Sequence, residues 1–448
     1  MPPALIVLAA GRGTRMQSDR PKVLHELAGA PLLIHALESA RALEAARTIV
    51  ITGHGAEAVE AAARAHDDRV TCIRQTEQLG TGHAVLQARE ALAGHDGPAF
   101  VLFGDTPFIR AVTLRGMDAA LAGASMVVLG FEAADPGRYG RLVTEGGRLL
   151  RIVEWKDASE QERAITLCNS GVLAADAGLL FDLLGEVTNE NAAGEYYLTD
   201  LPGLAGQRGL VTHVVTCAEE ETLGINSRAD LAAAAAAFQA RARREALENG
   251  VHLEAPETVH FAYDTVLGRD CAVEPNVVFG PGVTVETGAR IRAFSHLEGC
   301  HVARGAIVGP YARLRPGAEL AEDVRVGNFV EVKAAEIGEG AKVSHLSYIG
   351  DAAIGAGTNV GAGTITCNYD GVMKHRTEIG KNAFIGSNTM LVAPVTVGDE
   401  AMTGSGSVIT KDVPEGDLAV ARARQENKSG LARRLMAKLR DIKAKKGE

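Results

Sequence analysis

The first half of the chain alternates short apolar runs with longer segments of helical pattern. Between the runs, Ala-rich segments such as LIHALESARALEAA space their apolar residues as amphipathic helices do. The alternation predicts an α/β domain whose mostly parallel, Rossmann-like sheet is covered by helices on both faces. The predicted strands are residues 5–9, 48–52, 70–74, 99–103 and 125–130.

A strong helix-forming segment follows, beginning at residue 228 with RADLAAAAAAFQARARREALENG. Asp230 lies near its start and the Asn249-Gly250 pair predicts its end. A surface helix of the first domain and a linking arm both fit this composition. We therefore predict an α/β domain at 1–227, a helical linker at 228–250 and a second domain at 251–448.

Beyond residue 260 a period of six takes over, with one aliphatic residue per repeat. Six is not a multiple of 3.6, so the pattern excludes an α-helix and predicts a parallel β-helix with three hexads per coil. Twenty-four hexads, 22 of them with an apolar residue at this position, give eight coils. The positions are Leu267, Val273, Phe279, Val285, Ile291, Leu297, Val302, Val308, Leu314, Leu320, Val326, Val332, Ile337, Val343, Ile349, Ile354, Val360, Thr366, Ile379, Ile385, Leu391, Val397, Thr403 and Ile409.

Composition narrows the class of protein. The 448 residues are 46% hydrophobic and 23% charged, as in globular domains, and the net charge of −10 argues against a general nucleic-acid partner. The six cysteines form no CxxC or Cys/His spacing, so the sequence suggests neither a disulfide framework nor a zinc site. The first apolar run is too short for a signal peptide, and none approaches the roughly 20 residues of a membrane span. We expect a cytoplasmic protein without membrane partners.

The opening loop, LAAGRGTRM at 8–16, offers three interpretations. It lacks the GxxxxGK[ST] of a Walker A loop and the GxGxxG of a dinucleotide fingerprint. A phosphate cradle fits better, in which backbone N–H groups approach an anion and Arg15 and Lys22 neutralise its charge. Further on, the segment FGDTP places Asp105 at a strand end, where a carboxylate can hold Mg²⁺.

In these motifs the sequence resembles the sugar-1-phosphate nucleotidyltransferases, and QTEQLGTGHA resembles the uridine-binding stretch of the uridylyltransferase members. GRYGR, IVEWKD, CNSGVL, GEYYLTD and GINSR follow in order. With the hexads and the motifs RLRPGAEL, VGNFVEVK, HLSYIGD and NVGAGTITCNYDG, the whole chain resembles one family. This is the family of bacterial bifunctional N-acetylglucosamine-1-phosphate uridyltransferases/glucosamine-1-phosphate N-acetyltransferases.

The resemblance implies a left-handed β-helix, a homotrimer formed through it, and two reactions with Mg²⁺, UTP and acetyl-CoA. In the first site, Arg15 and Lys22 would act on the phosphates, and Asp105 and Asn226 would hold the metal. The remaining residues expected to bind UTP or UDP-N-acetylglucosamine are Leu8, Ala9, Ala10, Gly11, Gln75, Gly80, Thr81, Phe103, Gly104, Gly140, Glu154 and Asn169. Phe103 stands where relatives often carry Tyr.

Acetylating an amine requires a base, and histidine titrates nearest neutral pH. His345 lies two residues after a hexad position, in a predicted coil corner, and the segment 367–378 interrupts the repeat nearby. The resemblance implies that His345 is the general base and that Arg315, Lys333, Tyr348, Asn359 and Lys374 bind the sugar phosphate. It assigns acetyl-CoA contacts to Ala362, Asn368, Tyr369, Ser387, Ser405 and Arg422. Ser405 replaces an Ala of relatives, which is tolerable if the contact is through the backbone.

Two alternatives stay open on the sequence alone. In one, the chain is a single-activity sugar-1-phosphate nucleotidyltransferase whose β-helix only assembles subunits. In the other, it is a non-catalytic scaffold, which the intact set of Arg15, Lys22, Asp105 and Asn226 argues against. The basic tail at 424–448, with nine basic and three acidic residues, fits either a solvated helix or a role over the CoA phosphates of a neighbouring subunit.

Overall fold

The computed structural model describes residues 1–446 and divides into two compact units. The first comprises Met1–Glu245 with His260–Thr265, and the second comprises Ala246–Val259 and the chain from Val266 onward. The domain bounds predicted from the sequence stay a prediction.

The first unit is built on a mixed sheet whose strand order is β11-β7-β10-β6-β1-β4-β5. The β1–β4, β1–β6, β4–β5 and β7–β11 pairs are parallel, whereas β10 runs antiparallel to β6 and β7. The five strands predicted from apolar runs are confirmed, to within a residue or two, as β1, β4, β5, β6 and β7. The strands are β1 Ala4–Ala9, β2 Glu26–Leu27, β3 Ala30–Pro31, β4 Arg47–Thr52, β5 Thr71–Arg74, β6 Pro98–Phe103, β7 Met126–Glu132, β8 Arg141–Glu145, β9 Arg148–Val153, β10 Leu167–Asp176 and β11 Thr212–Cys217.

Both faces of this sheet are buried. Alternate residues of β1 enter two different cores: Ile6 and Leu8 join one, and Leu5 and Val7 join the other. A strand buried on both faces reads as a continuous apolar run, which is why LIVLA shows no alternation. The helices that cover the sheet are α1 Leu32–Ala40, α2 Ala56–His66, α3 Thr81–Leu86, α4 Ala111–Ala120, α5 Glu160–Arg163, α6 Ala177–Leu184 and α7 Leu201–Gln207; the long predicted helix is α8 Arg228–Glu248.

The second unit is a stack of short parallel strands in three columns. One column is β12-β14-β17-β20-β23-β25-β27-β30-β33-β35; β24 and β26 each turn a corner and belong to both other columns. The strands are β12 His252–Leu253, β13 Val266–Leu267, β14 Ala272–Val273, β15 Val278–Phe279, β16 Thr284–Val285, β17 Arg290–Ile291, β18 His296–Leu297, β19 Cys300–Val302, β20 Ile307–Val308, β21 Arg313–Leu314, β22 Ala318–Leu320, β23 Arg325–Asn328, β24 Glu331–Ile337, β25 Lys342–His345, β26 Tyr348–Ile354, β27 Asn359–Val360, β28 Ile365–Cys367, β29 Thr377–Ile379, β30 Phe384–Ile385, β31 Met390–Val392, β32 Val395–Val397, β33 Met402–Thr403, β34 Val408–Ile409 and β35 Leu418–Ala419.

The hexad pattern predicted the interior of this unit correctly. Every hexad residue except the partly buried Leu267 is at most 3% exposed, including the two threonines Thr366 and Thr403. The stack also extends beyond the predicted hexads, since β12 precedes them and β35 follows them. The β-helix is therefore confirmed, while its left hand stays a prediction.

The basic tail forms one helix, α9 Leu431–Lys446, and none of its residues is buried. Within residues 1–446, no helix combines the length and the apolar character needed to cross a bilayer.

Candidate active sites

A cavity of about 340 Å³ opens where β1 and β6 end in the first unit. Ligands of open α/β sheets bind at the carboxyl ends of parallel strands, and this cavity lies there. Val23, Gln78, Ala84 and Glu195 complete its wall. Ten of the predicted nucleotide-site residues line it: Leu8, Ala9, Ala10, Gly11, Lys22, Gln75, Gly80, Thr81, Phe103 and Asp105.

Two glycines allow the segment that carries Lys22 to approach the opening loop. A Cβ at Gly13, where φ is +61°, would lie 2.6 Å from Cβ of Lys22. A Cβ at Gly55, where φ is +64°, would clash with Cγ of Pro21. Because both positions also have left-handed backbone, a side chain would be strained there as well as blocked. The glycines thus leave open the space that the Pro21–Lys22 segment occupies.

Lys22 bridges the two residues predicted to bind metal. Its ammonium donates to the Asp105 carboxylate and to Oδ1 of Asn226, the latter at 3.1 Å. The side chains of Lys22 and Asp105 are only 13% and 17% exposed. A backbone hydrogen bond of 3.1 Å from Ile225 to the carbonyl of Asp105 joins the two segments.

The N-terminus of α8 holds Asn226 in this position. Asp230 accepts hydrogen bonds from the backbone N–H groups of Asn226 and Ser227, at 3.0 and 2.9 Å. The hydroxyl of Ser227 in turn accepts from the N–H of Asp230 at 3.2 Å. This reciprocal pairing is a helix cap, so the first turn of α8 positions a site residue.

Side-chain amides hold the part of the cavity that is predicted to read uridine. Nε2 of Gln75 donates to the carbonyl of Gly80 at 3.2 Å, and Nε2 of Gln78 donates to the carbonyl of Ala10 at 2.8 Å. The hydroxyl of Thr81 accepts from the N–H of Leu198 at 3.2 Å. These contacts tie the segment 75–81 to the opening loop and to the segment before α7.

The three residues predicted to hold the sugar also meet. The N–H of Asn169 donates to the carbonyl of Gly140 at 2.9 Å, and a Cβ at Gly140 would lie 3.5 Å from Oε1 of Glu154. Burial raises the pKa of Glu154. The hydrogen bond that its carboxylate accepts from Thr199 at 3.2 Å lowers this pKa, but by less than burial raises it. These residues lie outside the lining of the cavity at the ends of β1 and β6, as do Gly104, Asn226 and the exposed Arg15.

Phe103 packs over Gly171 at the edge of the cavity. A Cβ at Gly171, where φ is +91°, would lie 2.7 Å from Cε2 of the ring. The ring therefore occupies space that only a glycine leaves open, and it offers no hydroxyl for a hydrogen bond.

In the second unit, His345 belongs to a column of corner residues along the β-helix. Its Nδ1 lies 2.7 Å from Oδ1 of Asn328 on the preceding coil, and its carbonyl accepts from the N–H of Gly363. On the next coils, the carbonyl of Ala362 accepts from the N–H of Asn388, next to Ser387, at 2.7 Å. The carbonyl of Ser387 in turn accepts from the N–H of Gly406, next to Ser405, at 2.8 Å. Nη1 of Arg422 donates to the carbonyl of Ser405 at 2.8 Å, so that contact does not depend on the serine side chain. His345 thus lies in one column along the β-helix with four residues predicted to contact CoA: Ala362, Ser387, Ser405 and Arg422.

The residues predicted to bind sugar phosphate gather farther along the same coils. Nζ of Lys333 donates to Asp351 at 2.9 and 3.2 Å, and Nδ2 of Asn368 donates to the same carboxylate and, at 3.4 Å, to the hydroxyl of Tyr348. Burial works to raise the pKa of Asp351, but the hydrogen bonds from Lys333 and Asn368 outweigh it, so this pKa lies below its ordinary value. Arg315 donates to Glu331 at 2.8 Å, which raises the pKa of the arginine.

The predicted interruption of the hexads is a hairpin that carries Lys374. Tyr369 and Lys374 form an isolated antiparallel bridge, and the ammonium lies 4.6 Å from the centre of the tyrosine ring. Asp370 closes the turn by accepting from the N–H groups of Val372 and Met373. Asn359 lies in β27, with Lys342 and Phe384 beside it on the neighbouring coils.

Comparison with known proteins decides the family. A model of the MobA-like NTP transferase domain matches residues 5–246, and one of the bacterial transferase hexapeptide matches residues 376–411. The chain is 67% identical over 445 residues to the bifunctional protein GlmU of Roseobacter denitrificans, covering 99% of each chain. It is 66% identical over 448 residues to that of Ruegeria sp. (strain TM1040), covering 100% of each. The chain belongs to the bifunctional GlmU family.

A further relative also matches over the full length, whereas a solved structure matches about half of the chain. The bifunctional protein GlmU of Jannaschia sp. (strain CCS1) is 62% identical over 447 residues, which cover 100% of this chain and 98% of the relative. A solved UDP-glucose pyrophosphorylase complexed with UDP-glucose aligns with 54% of this chain and 100% of its own, at 20% identity and a TM-score of 0.43, too distant to bear on function.

Family membership confirms the function that the sequence resemblance implied. The enzyme joins a uridyltransferase and an acetyltransferase on one chain, and the single-activity alternative is disfavoured because the relatives are bifunctional over their full length. Nucleotides and other small molecules are its substrates.

Several site residues escaped the sequence analysis. They are Gln78 and Glu195 in the cavity wall, Asp230 behind Asn226, Asn328 beside His345, and Asp351 beside Lys333. Four of the five lie inside motifs already singled out: QTEQLGTGHA, GEYYLTD, VGNFVEVK and HLSYIGD. The signal was therefore present, but a motif does not say which of its side chains face the site.

Proposed function

We propose that the chain acetylates glucosamine-1-phosphate with acetyl-CoA in its second unit and then uridylylates the product in its first. The uridylyl step would convert UTP and N-acetylglucosamine-1-phosphate into UDP-N-acetylglucosamine and pyrophosphate. The observation that carries the uridylyl assignment is the contact of Lys22 with both Asp105 and Asn226 beside the cavity of the first unit. Such a cluster of one cation and two oxygen ligands suits a triphosphate with its metal.

In the uridylyl step, positioning and charge neutralisation do most of the work. Lys22 and the more exposed Arg15 would bind the phosphates, while Gln75, Gly80 and Thr81 would read uridine. Gly140, Glu154 and Asn169 would hold the sugar so that its phosphate oxygen faces the α-phosphorus. The bond to pyrophosphate breaks as the new phosphate–phosphate bond forms.

The donor set also fits Mg²⁺. The oxygens of Asp105 and Asn226 converge on one ammonium, so they converge on a single cation, and both are hard ligands of the kind Mg²⁺ prefers. No group of three or more His, Cys, Asp or Glu side chains within residues 1–446 is arranged for a metal. We infer that Asp105 and Asn226 are the protein ligands and that nucleotide oxygens and water supply the rest. When bound, the metal would neutralise charge on the triphosphate.

In the acetyl step, His345 would remove a proton from the ammonium form of glucosamine-1-phosphate, which frees the lone pair that attack requires. The nitrogen then attacks the thioester carbonyl, a C–N bond forms, the C–S bond breaks, and CoA leaves as the thiol after taking up a proton. Arg315, Lys333 and Lys374 would bind the phosphate. Lys333 already holds Asp351, and Arg315 already holds Glu331, so both cations are in place before substrate arrives.

We infer that the β-helix forms a homotrimer and that an exposed aromatic column beside His345 belongs to its interface. Phe294, Tyr311 and Phe329 stack on successive coils at 4.9 and 5.3 Å between ring centres. They are 47–56% exposed, and Leu346, next to His345, is 61% exposed. Apolar patches of this kind usually mark an interface. Light scattering should report three subunits, and Phe329→Asp should shift the enzyme toward monomer; a wild-type monomer would contradict the inference.

One coupled assay tests the two-step proposal. Glucosamine-1-phosphate, acetyl-CoA, UTP and Mg²⁺ together should yield UDP-N-acetylglucosamine, CoA and pyrophosphate, and omission of acetyl-CoA should stop product formation. Supplying N-acetylglucosamine-1-phosphate should restore the uridylyl step without acetyl-CoA. If that step proceeds but no free CoA ever appears from glucosamine-1-phosphate, the single-activity alternative holds.

A further inference from the structure

The ammonium of Lys22 uses the same two oxygens that would hold the divalent cation. It donates to the Asp105 carboxylate and, at 3.1 Å, to Oδ1 of Asn226. Asp105 is 17% exposed and Lys22 13%, so this ion pair is largely withdrawn from water. The carboxylate is thus already neutralised by a cation of the protein itself.

Two cations do not fit on this pair of oxygens together. Mg²⁺ requires its oxygens at about 2.0–2.1 Å, whereas an ammonium sits at about 2.7–2.9 Å from a carboxylate. Their mutual repulsion at such separations is severe in a partly buried site. Divalent binding at Asp105 therefore requires the Lys22 ammonium to move away.

We propose that Lys22 and the divalent cation are alternative partners of Asp105 and Asn226, and that the nucleotide triphosphate triggers the exchange by giving Lys22 a new anionic partner. This inference rests on the proposed uridylyl site. Lys22 lines the nucleotide cavity, so its ammonium can reach an anion there. The lysine side chain is long and flexible, so its ammonium can swing from the two oxygens toward an anion in the cavity.

The exchange couples the two ligands. Without nucleotide, the metal must displace Lys22 from its two oxygen partners, so the affinity of the site for metal is low. With nucleotide, Lys22 pairs with the phosphates instead, so the affinity for metal rises. By linkage, the metal must raise nucleotide affinity by the same factor. The enzyme would thereby avoid filling its metal site in a form that lacks substrate.

The test measures Mn²⁺ binding to the full-length enzyme without nucleotide, by electron paramagnetic resonance and calorimetry. Lys22→Met should bind Mn²⁺ about 5- to 150-fold more tightly than wild type, the usual span of coupling between two ligands. Lys22→Gln should also bind Mn²⁺ more tightly than wild type, and agreement between the two variants would show that the gain is not a folding defect of one of them. Adding Asp105→Asn to Lys22→Met should abolish the gain.

Arg15→Met is the matched control for charge. Arg15 lies in the same opening segment and is exposed, and within residues 1–446 no hydrogen bond or ion pair joins it to Asp105 or Asn226. It should leave Mn²⁺ affinity within about twofold. An equal gain in Arg15→Met would overturn the exchange in favour of a general charge effect, and so would unchanged affinity in both Lys22 variants.

Failure of the exchange and failure of the proposed function give different results. If wild type makes UDP-N-acetylglucosamine but the Lys22 variants bind Mn²⁺ no more tightly, the exchange is wrong and the function stands. If wild type makes no UDP-sugar, the proposed function is wrong, while a tighter Mn²⁺ site in both Lys22 variants would still support the exchange.

Discussion

Oδ1 of Asn328 lies 2.7 Å from Nδ1 of His345, one coil away along the β-helix. A carboxamide oxygen only accepts hydrogen bonds, so Nδ1 must carry the ring proton. Nε2 then keeps its lone pair and is the nitrogen free to take a proton from substrate. Asn328 thus stabilises the tautomer of His345 in which Nε2 is unprotonated, as a general base requires.

Replacing His345 should therefore separate the two activities. His345→Ala should lower acetyl transfer by roughly 10²- to 10⁴-fold, the usual contribution of a general base. Uridylyl transfer in the same preparation should stay near wild type, because the site proposed for it consists of first-unit residues and does not include His345. Acetyl-CoA binding should also persist, since its proposed contacts are other residues. A loss within about threefold would instead mean that His345 only fills a coil corner.

Asn328→Leu should also lower the rate of acetyl transfer, but by less than His345→Ala does. A single hydrogen bond contributes about 0.5–1.5 kcal/mol, which corresponds to at most roughly tenfold in rate. The pH profile distinguishes positioning from a structural role: loss of the orienting carboxamide should shift the acidic limb of acetyl transfer, whereas a folding defect would lower the plateau alone. Asn328→Gln, which retains the oxygen, should recover part of the rate.

Asp105→Asn should lower uridylyl transfer by orders of magnitude and spare acetyl transfer. The variant keeps the shape of the side chain but removes the negative charge that pairs with Lys22 and would attract the metal. Both activities are measured on one preparation. A parallel fall in the two would point to a role of Asp105 in folding or assembly.

Buried His35 should make the first unit less stable in mild acid. Its Nε2–H donates to the carbonyl of Leu27 at 2.7 Å, and burial is the main cause that lowers its pKa from 6.5. Below about pH 6.5 the unfolded chain binds a proton that the folded unit resists, so the free energy of unfolding falls as pH falls through that window. Each unit of pKa lowering corresponds to about 1.4 kcal/mol.

The single tryptophan, Trp155, reports this unfolding, since it lies in the first unit against Arg163. Denaturant curves followed by its fluorescence at pH 7.5, 6.5 and 5.5 should show decreasing stability for wild type. His35→Gln can still donate to Leu27 but cannot charge, so its stability should depend less on pH. Identical pH dependence in the two proteins would rule out His35 as the cause.

The extent of the first unit can be tested with two fragments. Phe238 of α8 is 6% exposed and lies 6.1 Å from the ring of His35, which also meets Tyr263 at 5.6 Å. Both 1–227 and 1–265 contain the cavity residues and Asn226, so we expect both to transfer uridylyl groups, the shorter one more slowly because it lacks Asp230, which holds Asn226. The shorter one lacks Phe238 and should be less stable by about 3 kcal/mol or more, as for loss of a buried Phe. Equal melting temperatures would mean that α8 is only a linker.

The sequence determined the periodic parts of this protein. One inward aliphatic every six residues specifies a stacked coil, because each coil repeats the contacts of the one before it, and the buried run of β1 specifies a covered parallel sheet. It also indicated ten residues that line the cavity of the first unit, because glycines and charges in motifs mark places where a backbone can meet a ligand. Asp105 is one example, at the end of β6, where parallel strands gather their functional groups.

Only the tertiary structure decided which of these residues touch. Lys22 and Asn226 are 204 positions apart, and nothing local in either segment encodes their hydrogen bond. Asp230, Asn328 and Asp351 escaped prediction for the same reason, since each acts by orienting a partner that a pattern along the chain does not reveal. α8 looked like a possible linker because its Ala-rich surface carries almost no apolar stripe, yet Ala234 and Phe238 are buried and Arg241 lies over the ring of Phe108 in the first unit. Such choices depend on packing between distant segments, where a few side chains in the right place outweigh the average character of a helix.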